Sequence, residues 1–381
     1  MREVKKVLIV TNVPQDYRIA LFNKLNEMLL ALNIQLMVVF AAKGYKRRKA
    51  KLDFSKMTFP HHFLESAKFS FGSSENTMFS YPGLIRYHRK YKPDITFVIG
   101  YSPATIKLWL YSFIAKVNYF IWSGSIVFKG RKDSTLRKWL RKILIKRSTG
   151  FIAYGTKAKE YLVTMGAPAE KVFIAINTVD TQFFAQIAHQ RNGRTPNEIK
   201  NLLYLGYLTH GKQIDKLIKT IAELKKLDSK FYLRIVGDGP AKETLMQLVD
   251  QLNLSNHLSF EGFRQKSELP EYFVNADCFL FQTGCDIWGL VLNEAMASGL
   301  PCLVSPNAGA SNDLIIQNET GIIIDFSQHQ QAAKAIHRII HDDPLLLKLG
   351  NNAASLIENK VKPANSAQGF INAINFFKNH D

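Results

Sequence analysis

Short β-branched runs alternate with helix-period stretches along the whole of this 381-residue chain, and that alternation constrains the architecture more than any other feature. A strand that leads through a helix to another strand returns to the sheet in the same direction, so the pattern predicts parallel sheets flanked by helices. Strands are expected near residues 6–11, 34–40, 95–100, 118–122, 151–154 and 172–175. A second set is expected near 201–205, 231–236, 258–261, 278–281, 302–304 and 321–324. Each set suffices for a doubly wound sheet, and the chain is too long for one core. The polar stretch 185–200, with Gly193, Arg194 and Pro196, reads as a linker. The expected domains are 1–190 and 196–360, followed by an amphipathic helix over 361–381 with Phe370, Ile371, Ile374 and Phe377 at helical spacing.

Charge divides the chain in the same place. Residues 1–195 hold 33 Lys/Arg against 11 Asp/Glu, and residues 196–381 hold 17 against 20, so the net +19 belongs to the front half. Such asymmetry points to an anionic partner on that side, and a membrane surface, a phosphate-bearing acceptor and a nucleic acid all supply one. No nucleic-acid module is recognisable, so nucleic acid is not expected. Cys278, Cys285 and Cys302 lack CxxC spacing and accompanying histidines, which supports neither a disulfide framework nor a metal site. The start has too short an apolar run for a signal peptide, and Lys107 and Lys116 interrupt the apolar stretch 104–122. The expected location is the cytoplasm, peripheral to the inner face of the membrane.

Residues 276–301, ADCFLFQTGCDIWGLVLNEAMASGLP, carry the chemistry. A strand-type run ends in a polar turn that includes Thr283, and helical periodicity restarts after Gly289. Asp286 lies before that restart and Glu294 inside the helix, about 12 Å further along if the rise is helical throughout. The amides near Gly289 and Leu290 suit a phosphate at the positive end of the helix dipole. After the first strand of this half, Gly206, Tyr207 and Lys212 lie at another strand–helix junction, where a lysine suits a diphosphate. Gly237 and Gly239 follow the next strand, and either shape a turn or touch a ligand.

The segment resembles the signature of the family-4 retaining glycosyltransferases of GT-B architecture, in which an acid, seven residues and a glutamate are followed by Ala-Met-Ala-x-Gly-x-Pro. Here the tail is Ala295-Met296-Ala297-Ser298-Gly299-Leu300-Pro301, and the first acid is Asp286 where the family usually has Glu. Tyr207 stands where the family has Arg, Gln213 replaces its second glycine, and Asp313 takes the place of a loop Glu. The resemblance is specific over 201–326 and implies two Rossmann-like domains facing a cleft, with the last helix crossing back to the first. It implies a retaining, metal-independent, hexosyltransferase-type enzyme with a nucleotide-sugar co-substrate and no cofactor. By this resemblance Asp286 meets the donor sugar, Glu294 the ribose and Lys212 the diphosphate. Gly206, Tyr207, Gly237, Gly262, Phe263, Thr283, Gly289 and Leu290 complete the donor side, with Gly262 and Phe263 at the base. The expected acceptor is a lipid-linked saccharide in surface-polysaccharide, including lipopolysaccharide, biosynthesis. A GT-B epimerase and an inactive membrane scaffold are the alternative readings.

In the front half no paired glycines follow the first strand, and no histidine follows the strand at 118–122. Pro14, Tyr17, Arg18 and Phe22 resemble a subgroup with a Pro–Tyr–Arg turn, which places Arg18 on the acceptor side, a surface salt bridge being the alternative. Ser123 and Ser125 are expected beside it, or as helix caps. Two basic segments stand out, 43–51 and 134–147. The latter sets Leu136, Trp139, Leu140, Ile143 and Leu144 on one helical face, and packing on the sheet is favoured over a membrane interface.

Overall fold

The computed structural model describes residues 3–44, 52–64, 68–70, 77–127, 134–191 and 197–380. The chain divides into two compact units, Met1–Asp180 with Pro363–Asp381, and Thr181–Lys362.

The first unit contains β1 (Lys6–Thr11), β2 (Gln35–Phe40), β3 (His61–Phe63), β4 (Lys68–Ser70), β5 (Thr77–Phe79), β6 (Ile95–Ile99), β7 (Tyr119–Ser123), β8 (Gly150–Ala153) and β9 (Val172–Ile174). Seven of these form one parallel sheet in the order β3-β2-β1-β6-β7-β8-β9, and β4 pairs antiparallel with β5 in a separate hairpin. Residues 7–11 of β1 are all buried, as expected for a central parallel strand covered on both faces. The helix Pro363–His380 lies in the core of this unit, with the Phe370 ring 5.0 Å from Phe97 and 5.1 Å from Trp122, edge to face. Ile371, Ile374 and Phe377 are buried with it, at about 2 kcal/mol of apolar burial each.

The second unit contains β10 (Lys200–Leu205), β11 (Phe231–Val236), β12 (Leu258–Gly262), β13 (Cys278–Phe281), β14 (Cys302–Val304) and β15 (Ile322–Ile323). Their order is β12-β11-β10-β13-β14-β15, every pair parallel. The chain winds outward from β10 to β12, then returns to the other side of β10 with β13. The sheet order therefore reverses between β10 and β13, which in an open parallel sheet leaves a crevice beyond the strand C-termini.

Several expectations change. The strand His61–Phe63 and the hairpin, three residues to each strand, fall outside the expected set. Residues 185–191 of the expected linker belong instead to the helix Thr181–Arg191, anchored by buried Phe184 and Ile187. Its Arg191 guanidinium donates to the carbonyls of Phe273 (2.6 Å) and Val274 (3.1 Å), where the helix Leu269–Asn275 ends. This helix lies in the second unit, so the first boundary falls at 180 and not at 190. Residues 192–196 and 45–51, the latter most of one basic segment, lie outside the described residues. The helix Thr135–Arg147 buries Leu144 and Ile145 but leaves Leu136 and Trp139 71% and 59% exposed. The expected packing on the sheet thus holds only for its last turns.

Candidate active site

Lys212 and Asp286 meet at the reversal point of the second sheet. Lys212 ends a short 3-10 turn, His210–Lys212, after β10, and Asp286 lies in the loop after β13. The Lys212 ammonium donates to Asp286 Oδ2, with both side chains about one-fifth exposed. Main-chain and amide contacts lock the two loops together. Gly284 N donates to Lys212 O at 3.1 Å, and Gln282 Nε2 donates to Gln213 O at 3.2 Å.

Asp286 is held from every side. Its Oδ1 accepts the amide of Trp288 at 3.2 Å, and its carbonyl accepts Gly309 N at 2.9 Å. The Trp288 indole is buried and donates to Asn293 Oδ1 at 2.9 Å, pinning the turn to the following helix. That helix, Leu290–Ala297, begins at Gly289, whose φ of +89° only glycine adopts readily. A Cβ there would sit 2.5 Å from the Phe281 ring. The amides of Gly289 and Leu290 have no acceptor among the described residues, so two donors are presented at the positive end of the helix. The helix is continuous only from Leu290, so Glu294 lies about 6 Å along it, and the helical rise from Asp286 on which the 12 Å expectation rested is absent. Glu294 is half-buried in the second turn.

The glycines of the neighbouring loops allow close packing of the strand ends. Gly237 (φ +149°) donates to Gly262 O at 2.8 Å, and a Cβ on it would fall 1.9 Å from Gly206 O. Gly237 therefore shapes the junction. Tyr207 and Phe263 stand 42% and 37% exposed at the same edge. Thr283 corrects the sequence expectation: it is fully buried, its hydroxyl accepts Cys285 N at 3.2 Å, and its carbonyl accepts the Ser305 hydroxyl at 2.9 Å. It braces the loop and offers nothing to a ligand.

Tyr204 and Gln282 belong to this site without any signature in the sequence, and Gln213, which stands at the family's second glycine, joins them. The Tyr204 phenol is buried without a hydrogen-bond partner among the described residues, and burial, reinforced by the Asp286 carboxylate, pushes its pKa up. Gln213 takes the left-handed conformation (φ +51°) at the start of the helix Ile214–Leu227. The alternation of Tyr204 with apolar neighbours reads only as core.

In the first unit Arg18 is 5% exposed, which excludes the surface salt bridge. Its guanidinium donates to Thr11 Oγ1 and Tyr154 Oη, each at 2.8 Å, and lies 4.7 Å from the centre of the Trp122 ring. No carboxylate pairs with it among the described residues. Ser123 is buried and its Oγ accepts Ser125 N at 3.1 Å, so it ties a turn and caps no helix, while Ser125 is half-buried. The helix caps nearby are Ser102 and Ser134.

Two parallel-sheet units of this kind, with the terminal helix built into the first, define the GT-B fold. Over the full chain the fold matches sucrose-phosphate synthase from Thermosynechococcus elongatus (TM-score 0.75, 16% identity, 99% of this chain and 100% of that one). It also matches Anabaena HepE in complex with UDP and glucose (TM-score 0.74, 17% identity, 98% and 100%). Residues 186–356, within the second unit, match the model of the family Glycosyl transferases group 1. Curated relatives include alpha-D-kanosaminyltransferase of Streptomyces kanamyceticus, 24% identical over 59% of this chain and 60% of that protein. A GDP-mannose-dependent phosphatidylinositol monomannoside mannosyltransferase of Mycobacterium tuberculosis is 28% identical over 45% and 47%. The chain thus spans about half the length of the curated relatives it matches.

Proposed function

We propose that this chain is a retaining, metal-independent glycosyltransferase that moves a hexose-type sugar from a nucleotide-sugar donor to a lipid-linked saccharide at the cytoplasmic face of a membrane. The observation that carries this reading is the Lys212–Asp286 pair beside the acceptor-less amides of Gly289 and Leu290. A diphosphate on those amides draws the Lys212 ammonium toward itself and leaves the Asp286 carboxylate to receive sugar hydroxyls and the positive charge that develops at the anomeric carbon. Glu294, one helical turn in, takes the ribose hydroxyls. Tyr207 donates one hydrogen bond but no charge, so Lys212 carries the cationic share. The complex of Anabaena HepE, a neighbour of the same fold, with UDP and glucose supports a nucleotide-sugar donor.

The membrane part rests on the first unit. Leu136 and Trp139 are exposed beside Arg137, Lys138, Lys142 and Lys146, also exposed, and the neighbouring Phe113 and Ile114 are 59% and 84% exposed. The Arg147 guanidinium lies 4.1 Å from the Phe113 ring centre, joining the two surfaces. No helix among the described residues is long and apolar enough to cross a bilayer. Each basic residue near an anionic surface contributes about 1 kcal/mol. The M. tuberculosis relative, named for a phosphatidylinositol mannoside, supports a lipid-borne acceptor.

The test is product analysis with a nucleotide-sugar panel and lipid extracts. Transfer with retained anomeric configuration, lost in Glu294→Ala, is expected. Release of free nucleotide together with an epimerised sugar, and no glycosylated acceptor, would identify an epimerase, and no turnover of any donor would leave only a scaffold.

A further inference from the structure

We propose that Asp228, His337 and His341 form a site for a divalent transition-metal ion of the zinc type on the second unit, remote from Lys212. His337 lies in the last turn of the helix His329–Ile340, and His341 is its C-terminal cap four positions on, which stacks the two imidazoles on one face with ring centres 4.7 Å apart. Asp228 caps the C-terminus of the helix Ile214–Leu227, which packs against the first through Leu217, Ile221 and Leu224 facing Ile336, Ile339 and Ile340 in one core. The three ligand atoms lie within 4.8 Å of one another.

The carboxylate is already oriented. Oδ1 accepts the amide of Lys230 at 2.9 Å, which turns Oδ2 to within 2.7 Å of His341 Nε2. Tetrahedral zinc with bonds of about 2.0–2.1 Å needs ligand atoms about 3.3 Å apart, a change that side-chain rotation supplies. Two helix C-termini converge here, and each carries partial negative charge that favours a cation. The nearest lysine of the turn, Lys230, is engaged with Glu198 at 2.8 Å. Two imidazoles with one carboxylate suit zinc, nickel, cobalt or copper, and not magnesium or calcium, which take oxygen ligands. The fourth position faces solvent, since His341 is exposed and the other two are half-buried. The helix between Lys212 and Asp228 is 14 residues long, so the two sites stand about 20 Å apart. The ion would clamp two helix ends, independently of how the donor site is read.

The experiment is calorimetric titration of ZnCl2 into the full chain after dialysis against a chelator, with the thermal midpoint measured in parallel. One saturable equivalent and a raised midpoint are expected, with affinity at least tenfold weaker in both His341→Gln and His337→Gln. The His337 side chain makes no hydrogen bond among the described residues, so His337→Gln should keep the metal-free midpoint of the parent and serve if His341→Gln folds poorly. Visible absorption of bound Co2+ should appear in the parent and vanish in the variants. No saturable equivalent in the parent, or unchanged affinity in His337→Gln, would overturn the proposal.

Discussion

Lys212 and Asp286 form an ion pair between the ends of β10 and β13, the adjacent strands at which the second sheet changes direction. Neither residue is deep enough for the pair to be a mainstay of folding, and both remain open to a ligand. Lys212→Ala is expected to lower kcat by about 100-fold or more, the scale of losing a charged donor at a developing anion. The far-UV circular dichroism should stay unchanged. Steady-state kinetics of the variant against the parent check this, and Lys212→Arg should recover part of the loss by keeping the charge.

Gly237→Ala is expected to destabilise the second unit by about 3 kcal/mol, because its Cβ would meet Gly206 O at 1.9 Å in a backbone conformation that disfavours L side chains. Gly211→Ala supplies the control. Its nearest contact would be Thr209 Oγ1 at 3.8 Å, so its urea midpoint should match the parent within about 0.5 kcal/mol.

The three cysteines should separate by reactivity. Cys278 and Cys302 are buried and burial pushes both thiols up, so they are inert in the folded state. Cys285 is half-buried and adjoins Asp286. A thiol reagent should therefore modify one cysteine in the native protein and three in denaturant, and a bound nucleotide-sugar should slow the native reaction. Peptide mapping identifies the site.

Stability should fall on mild acidification through His88. Its ring is buried against Tyr111 and within 3.2 Å of Thr96 Oγ1, and burial pushes its pKa down to about 4 from 6.5. The unfolded chain then binds the proton first, so stability is intact above pH 6.5 and declines as pH drops toward 4. The full effect is about 3 kcal/mol. Urea midpoints of the parent and His88→Gln between pH 7 and 4.5 should diverge, with the flatter profile in the variant.

The parallel sheets were legible because a strand buried on both faces writes itself as an apolar run, as in residues 7–10 of β1 and in β13. Helix Thr181–Arg191 was not, since only Phe184 and Ile187 anchor it and its polar remainder reads as linker. Asp286, Gly289 and Leu290 could be placed because a strand-to-helix turn has local punctuation. Tyr204 could not, nor could the contact of Gln282 with Gln213, since what brings Tyr204 to Asp286 and Gln282 to Gln213 is the return of β13 beside β10, a long-range event with no local mark. Thr283 and Ser123 were misjudged for the opposite reason. A hydroxyl in a turn looks available until the main-chain amide that it binds is seen.

The central claim is that a diphosphate sits at the β10–β13 reversal, held by Lys212 and by the amides that open helix Leu290–Ala297. Calorimetric titration of a panel of nucleoside diphosphates into the parent and Lys212→Ala tests it most directly. The account predicts that at least one binds saturably, and at least tenfold more weakly once the ammonium is removed. Equal affinity in the two proteins, or no binding by any member of the panel, would contradict it.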